Sequence, residues 1–181
     1  MTTSLAHKRV AILATNGFEQ SELFHPLNAL KEANVKVDII SLEKGSIKGW
    51  DEDNWGESIK VDLTLQEAKS ENYDALVLPG GLFNPDTLRT SNAAIAFIKD
   101  FFADEKQRPV AAVCHGPWLL IEAGIVKGRN LTSYPSIQTD LRNAGANWQD
   151  AQVLIDGQII TSRNPDDLPA FSEQIIKALS T

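Results

Sequence analysis

Cysteine is almost missing from this chain: one residue of 181, Cys114, carries a thiol. An internal disulfide is therefore excluded, a reducing compartment is expected, and any thiol chemistry has a single address. The cytoplasm is the compartment this usage fits. Histidine is scarce too. His7, His25 and His115 stand far apart, without the close spacing that metal ligands show, so neither a metal centre nor a cofactor is expected. Basic residues are outnumbered, 17 Lys and Arg against 24 Asp and Glu, for a net charge of -7. With no basic run, a phosphate-neutralising surface is lacking, and nucleic acid is not an expected partner. Apolar runs fall well short of the roughly 18 residues needed to cross a bilayer, so no membrane association is expected. The stretch Met1 to Arg9 is basic but lacks the apolar core of a secretory leader, and none is expected. Repeats, linkers and low-complexity tracts are also missing, which predicts one domain over residues 1–181.

What is present reads as an ordinary folded chain, 43% apolar and 23% charged. Arg9 to Ala14, Val35 to Ser41, Asp74 to Leu78 and Pro109 to Val113 are short apolar or β-branched runs of strand length. Val153 to Asp156 and Ile159 to Ser162 flank a turn at Gly157. Between them, Glu19 to Ala33 carries Leu23, Leu27 and Leu30 at helical spacing, with Pro26 as the one discordant residue. Asn92 to Phe102, Pro117 to Ala123, Ile137 to Ala144 and Pro165 to Leu179 predict further helices. Continuous apolar strands alternating with helices specify an α/β three-layer sandwich around a mostly parallel central sheet. Ligands in such folds bind beyond the carboxyl ends of the strands. That selects three loops: Thr15 to Glu19, Pro79 to Asp86, and Cys114 to Pro117. Gly45 to Gly56 reads as an exposed excursion, forming a hairpin with Ile59 to Asp62, whose tryptophans, Trp50 and Trp55, pack locally in preference to gripping a ligand.

Ala112-Val-Cys-His-Gly116 follows a buried strand and opens a helix. Small residues on either side of a nucleophile permit a sharp turn that lifts it above the sheet, as in the Gly-x-Ser-x-Gly nucleophile elbow of hydrolases. The first helix amides would then favour thiolate and depress the thiol's pKa. A buried structural cysteine is the commoner fate of a free thiol, but this context favours a nucleophile. His115 would not face a neighbouring residue within a helix; with Cys114 on an elbow the two side chains can converge. Gly80-Gly81, after the adjacent strand, is either a plain turn or an amide donor that pairs with the His115 N–H as an oxyanion hole. Glu19 is either a solvated first-turn acid or a protonated carboxyl that donates to the sulfur.

These residues together resemble the PfpI family, the intracellular protease and parkinsonism-linked protein group of the class I glutamine amidotransferase-like superfamily. The resemblance runs through Asn16-Gly-Phe-Glu19, Glu22-Leu23, Tyr73 to Gly81, Ala112-Val-Cys-His-Gly-Pro117, Thr132-Ser-Tyr-Pro135, Asn143 to Ala146, and Val153 to Gly157 followed by Thr161-Ser-Arg163. It implies a flavodoxin-like fold with Cys114 as nucleophile, Glu19 as the acid bonded to it and His115 as base. By the same resemblance the Gly81 and His115 amides form the oxyanion hole, and Gly80 and Tyr134 line the substrate pocket. It further implies that Asp86, where the protease-like branch has glutamate, orients His115 from a neighbouring subunit of a homodimer or larger oligomer. No histidine follows His115, which removes the superfamily's glutaminase chemistry.

The family's activities are peptide hydrolysis, glutathione-independent conversion of methylglyoxal to lactate, removal of early glycation adducts, and stress protection. Thiolate addition to an aldehyde followed by proton movement uses Cys114 and His115 directly. The expected substrate is therefore a small aldehyde or a glycated thiol or amine. A peptidase and a redox-sensing or holdase stress protein are the alternatives.

Overall fold

The computed structural model describes residues 4–181; Met1 to Thr3, the start of the basic stretch read above, lie outside the described residues. In chain order the elements are β1 (Arg9–Leu13), β2 (Phe18–Glu19), α1 (Gln20–Glu32), β3 (Lys36–Ser41), β4 (Ser46–Asp51), β5 (Asn54–Lys60), β6 (Leu63–Thr64), β7 (Ala75–Leu78), α2 (Phe83–Arg89) and α3 (Asn92–Asp100). There follow β8 (Val110–Val113), α4 (Pro117–Glu122), β9 (Asn130–Leu131), α5 (Gln138–Asn143), β10 (Asn147–Trp148), β11 (Val153–Asp156), β12 (Ile159–Ser162) and α6 (Leu168–Leu179).

The main sheet has seven strands in the order β11-β12-β8-β7-β1-β3-β6. All neighbours pair in parallel except β11, which runs antiparallel to β12 at the edge. Strand alternation distributes the core between two faces. Val10 and Ile12 of β1 point to a layer that includes Leu23, Leu27 and Leu30 of α1 and Phe171 and Ile175 of α6. Ala11 and Leu13 point to the opposite layer, with Leu88 of α2, Ile98 of α3, Leu119 of α4 and Leu141 of α5. Because both faces are covered, β7, β8 and β12 are buried along their whole length, which is why they read as unbroken apolar runs.

One local feature departs from the sequence reading and another fills it in. The loop expected over Pro79 to Asp86 gives way to helix at Phe83. Pro85 conceals that helix from a sequence scan, yet it sits in the first turn, where its missing N–H is not needed. The excursion is a hairpin: β4 and β5 pair antiparallel, and β2 joins β4 through Phe18–Gly49 and Glu19–Trp50. Its two tryptophans do pack locally, 5.5 Å apart edge to face. They also meet the glycine-loop side of the molecule, since Trp55 stacks on Phe83 and Trp50 meets the same ring edge-on at 5.9 Å.

Candidate active site

Cys114 follows β8 with φ +62, a left-handed conformation that costs an ordinary residue about 1–2 kcal/mol. Contacts on every side hold it there. Its N–H donates to the Ser162 carbonyl at 3.1 Å, its carbonyl accepts from the Tyr134 N–H at 2.8 Å, and the Gly116 N–H closes the turn onto Val113 at 2.9 Å. The elbow also needs its glycines. A Cβ on Gly116 would lie 2.6 Å from the Leu78 carbonyl oxygen, and one on Gly80 would lie 2.7 Å from Cys114 Cβ.

The elbow turns the side chains of two sequence neighbours toward each other: Cys114 Sγ lies 3.2 Å from His115 Nδ1. The imidazole's other nitrogen, Nε2, lies 3.2 Å from Ser136 Oγ. Its ring stacks on Tyr134 at 4.9 Å and meets Trp118 edge-on at 5.1 Å. Burial pushes the His115 pKa down, against the pull of the Asp140 charge, so the ring is neutral at pH 7 and can accept a proton. The backbone N–H groups of Gly81 and His115 bond the sulfur and favour its thiolate.

The acid at the sulfur is not the one expected. Glu22 occupies that place, and Glu19 stands at the cavity wall. Glu19 precedes the first turn of α1 on extended backbone, φ -61 and ψ 119, and its neighbours are the charges of Asp51 and Glu52. Glu22, one helical turn later, lies fully buried beneath the glycine loop. Its Oε2 accepts from the Gly80 N–H at 2.7 Å. Its Oε1 is buried with no conventional hydrogen-bond partner, while the carboxyl as a whole bonds the Cys114 side chain. The sequence did carry a signal for Glu22. It is an acid in phase with Pro26 and Leu30 on the buried stripe of α1, and an ionised group there has no solvent to stabilise it.

Burial pushes the Glu22 carboxyl up to about 8. It pushes the Cys114 thiol up as well, as does the Glu22 charge whenever that carboxyl is ionised; the Gly81 and His115 amides pull the other way. A low thiol pKa is thus not supplied by the elbow alone, contrary to the sequence expectation. Thiolate is favoured only while Glu22 keeps its proton and donates it to the sulfur, turning a repulsive neighbour into a hydrogen bond.

Cys114 and His115 open onto a cavity of about 570 Å³ lined also by Gly81, Tyr134, Ser136, Trp50 and Phe83. Asp86 is elsewhere. It is exposed on α2, away from this cavity, and its side chain forms no hydrogen bond or ion pair among the described residues. Asn84, which the sequence did not single out, ties the loops of the site together. Its Oδ1 accepts from the Thr15 N–H at 2.8 Å, and its Nδ2 donates to the carbonyls of Pro79 and Gly80 at 3.0 Å.

Among curated proteins, the chain is 44% identical over 171 residues to "Deglycase PH1704" of Pyrococcus horikoshii, covering 94% of this chain and 99% of that one. It is 41% identical over 175 residues to "Protein/nucleic acid deglycase 2" of Escherichia coli, covering 95% and 98%. Among solved structures it superposes with a TM-score of 0.89, at 36% identity, on a two-domain protein from Anabaena variabilis containing DJ-1/ThiJ/PfpI-like and ferritin-like domains. There it covers 95% of this chain and 48% of that one, about half its length. The DJ-1/PfpI family pattern matches residues 8–178, and with the elbow, the glycine loop and these relatives in agreement, the chain belongs to the DJ-1/PfpI family.

Proposed function

We propose that this protein is a cytoplasmic, cysteine-dependent enzyme that consumes reactive 2-oxoaldehydes such as methylglyoxal, either free or as early adducts on amines and thiols. The observation that carries this reading is the sulfur of Cys114, a residue only 7% exposed at the floor of its cavity, with His115 Nδ1 3.2 Å away and two backbone N–H groups bonded to it. A small carbonyl group reaches such a recessed sulfur more easily than an extended polypeptide does. The names of the Pyrococcus and Escherichia relatives add the deglycase class.

In the proposed reaction Cys114 adds to the aldehyde carbon, and the carbonyl oxygen takes up a proton to give a hemithioacetal. Starting from an amine adduct, the sulfur displaces the amine from the hydroxyl-bearing carbon, the C–S bond forming as the C–N bond breaks, and the amine takes up a proton as it leaves to give the same hemithioacetal. His115 Nδ1 removes the hydrogen from the hydroxyl-bearing carbon, the negative charge on the neighbouring carbonyl oxygen faces the Gly81 and His115 amides, the hydroxyl proton passes to that oxygen, and the proton held by His115 is delivered to the adjacent carbon. The product is a lactoyl thioester, which water hydrolyses to lactate and free thiol. Glu22 keeps the sulfur reactive. Asp86 enters as a group supplied by a second subunit of a homo-oligomer, because within its own chain it does not meet His115.

The test is one preparation assayed for methylglyoxal loss without glutathione, for release of a glycated amine, and for cleavage of a fluorogenic peptide, with Cys114→Ala as control. Turnover of the first two, abolished in Cys114→Ala, is expected. Uptake that stops at one equivalent would make the protein a scavenger or sensor, and peptide cleavage alone would make it a peptidase.

A further inference from the structure

Asn84, the second residue of α2, is fully buried behind the glycine loop, and both polar atoms of its side chain are committed. Its Oδ1 accepts from the Thr15 N–H at 2.8 Å, which fixes the direction in which the amide nitrogen points. Nδ2 donates to two consecutive carbonyls, those of Pro79 and Gly80, each at 3.0 Å. A trans peptide is rigid, and its C=O and N–H point in opposite directions. Holding a carbonyl from behind therefore aims the N–H of the same peptide forward. In the Pro79–Gly80 peptide the forward group is the Gly80 N–H, which donates to Glu22 Oε2 at 2.7 Å. In the Gly80–Gly81 peptide it is the Gly81 N–H, which bonds the Cys114 sulfur. The two glycines do not enforce this orientation themselves. Without side chains they permit a half-turn of the peptide between them, which would set the Gly80 carbonyl dipole against a thiolate. The Glu19 N–H also reaches that carbonyl, at a longer 3.3 Å.

A primary amide on a short stem supplies what this position requires: an acceptor and two donors in one plane. Serine has a single donor, and an ionised aspartate has none. An aliphatic side chain would leave both carbonyls and the Thr15 N–H unpaired in a buried place. Resting on the function proposed above, we infer that Asn84 is a positioning residue for the Cys114 chemistry. It holds the two glycine-loop peptides by their carbonyls, so that one N–H meets Glu22 and the next meets the sulfur. Asn84 touches no reacting atom, and its effect passes through those two amides. The first fastens the acid that keeps the sulfur reactive. The second stabilises negative charge at the sulfur and on the oxygen of the reacting adduct.

The two amides can be followed directly by magnetic resonance in protein carrying isotopically labelled glycine, of which the chain has 11. In the wild type the Gly81 amide shift should follow the titration of Cys114, and the Gly80 amide shift that of Glu22. Asn84→Ser, with one donor on a shorter stem, should lose the pH response of at least one of the two. It should also raise the midpoint of Cys114 alkylation by about half a pH unit or more, as expected when a hydrogen bond to a charged group weakens. For methylglyoxal turnover, kcat should fall about tenfold with KM within about twofold, because the weakened interaction belongs to the transition state. Asn84→Asp keeps the size and the bond from Thr15 but cannot donate to both carbonyls, and it should reproduce these changes. Leu88→Val, buried on the same helix, controls for destabilisation alone and should alter none of them. Amide responses and midpoint that stay unchanged in a folded Asn84 variant, or that change equally in Leu88→Val, would overturn the inference. In the wild type the Asn84 side-chain amide protons should exchange slowly with solvent. Free exchange would also overturn the inference, and that measurement needs no variant to fold. The shifts and the midpoint read the resting site, so absent methylglyoxal turnover would refute the reaction and leave the positioning intact.

Discussion

The Nδ1 of His115 lies 3.2 Å from the sulfur of Cys114, its immediate neighbour in the chain. Adjacent residues of a helix or strand cannot meet in this way. Here they do because Cys114 occupies left-handed backbone, which rotates its side chain back over the start of α4. The catalytic geometry proposed above therefore depends on one strained residue, and on the acid that determines what the sulfur beside it can do.

Glu22 and Glu19 should separate cleanly in thiol reactivity. With Glu22 as proton donor, the alkylation rate against pH is expected to show a lower midpoint in the wild type than in a variant that cannot donate, although burial pushes the thiol up in both. Glu22→Leu should move it above the wild-type value and slow alkylation at pH 7 by tenfold or more, and Glu22→Gln, whose amide still donates, by less. Glu19→Gln should stay within about twofold of wild type with neutral iodoacetamide, because the Glu19 carboxyl is not the one bonded to the sulfur. A midpoint that falls in Glu22→Leu would mean the carboxyl is ionised at rest and opposes the thiolate.

Stability should carry the signature of the same carboxyl. Its pKa rises from 4.5 to about 8 in the folded state, so the folded protein holds a proton that the unfolded chain releases between those values. Wild-type stability therefore falls as pH climbs from about 5 to 8, by the sign of proton linkage. Glu22→Gln cannot ionise and should lose this slope. Its Tm relative to wild type is expected to rise by several degrees between pH 5 and pH 8, and parallel Tm curves for the two proteins would refute the protonated carboxyl.

Gly80→Ala should damage both fold and site. The added Cβ would stand 2.5 Å from Glu22 Oε2, 2.7 Å from Cys114 Cβ and 2.9 Å from the Val113 carbonyl. Overpacking of this kind costs about 1–3 kcal/mol, at roughly 2–4 °C of Tm per kcal/mol in a chain this size. Displacing Glu22 should also slow Cys114 alkylation. Gly128→Ala is the matched control, strained by φ +77 but with open space around its Cβ. It should lose about 1 kcal/mol or so from the strain alone and leave alkylation unchanged.

A shared site can be tested by subunit mixing. With Asp86 acting on a partner's His115, Asp86→Ala alone should be nearly inactive. Mixing it with Cys114→Ala chains should restore roughly a quarter of wild-type activity, since random reassortment makes about half the dimers mixed with one complete site each. Verified mixed dimers that recover nothing would leave Ser136, already 3.2 Å from His115 Nε2, as the residue that orients the imidazole from inside the chain.

The layered α/β fold and the Cys114 elbow were legible in the amino-acid sequence because both are written in local pattern. Continuous apolar runs record strands covered on both faces, and Ala112-Val-Cys-His-Gly116 records a turn that admits only small residues around a nucleophile. Hidden from that reading were relationships between segments distant in the chain. Glu19 and Glu22 look alike as first-turn acids of α1, and only the glycine loop crossing from β7 decides which of them is buried against the sulfur. Asn84 falls in an apparent loop, and only packing makes it a clamp between β1 and β7. The excursion shows two tryptophans and a run of acids, and only its pairing with β2 sets Glu52 and Trp50 into the wall of the Cys114 cavity. Backbone preference and hydrophobic period act over a few residues and leave their mark in sequence. Burial, and with it the protonation of a carboxyl, is a property of everything that surrounds a group, and it exists only once the chain has folded around it.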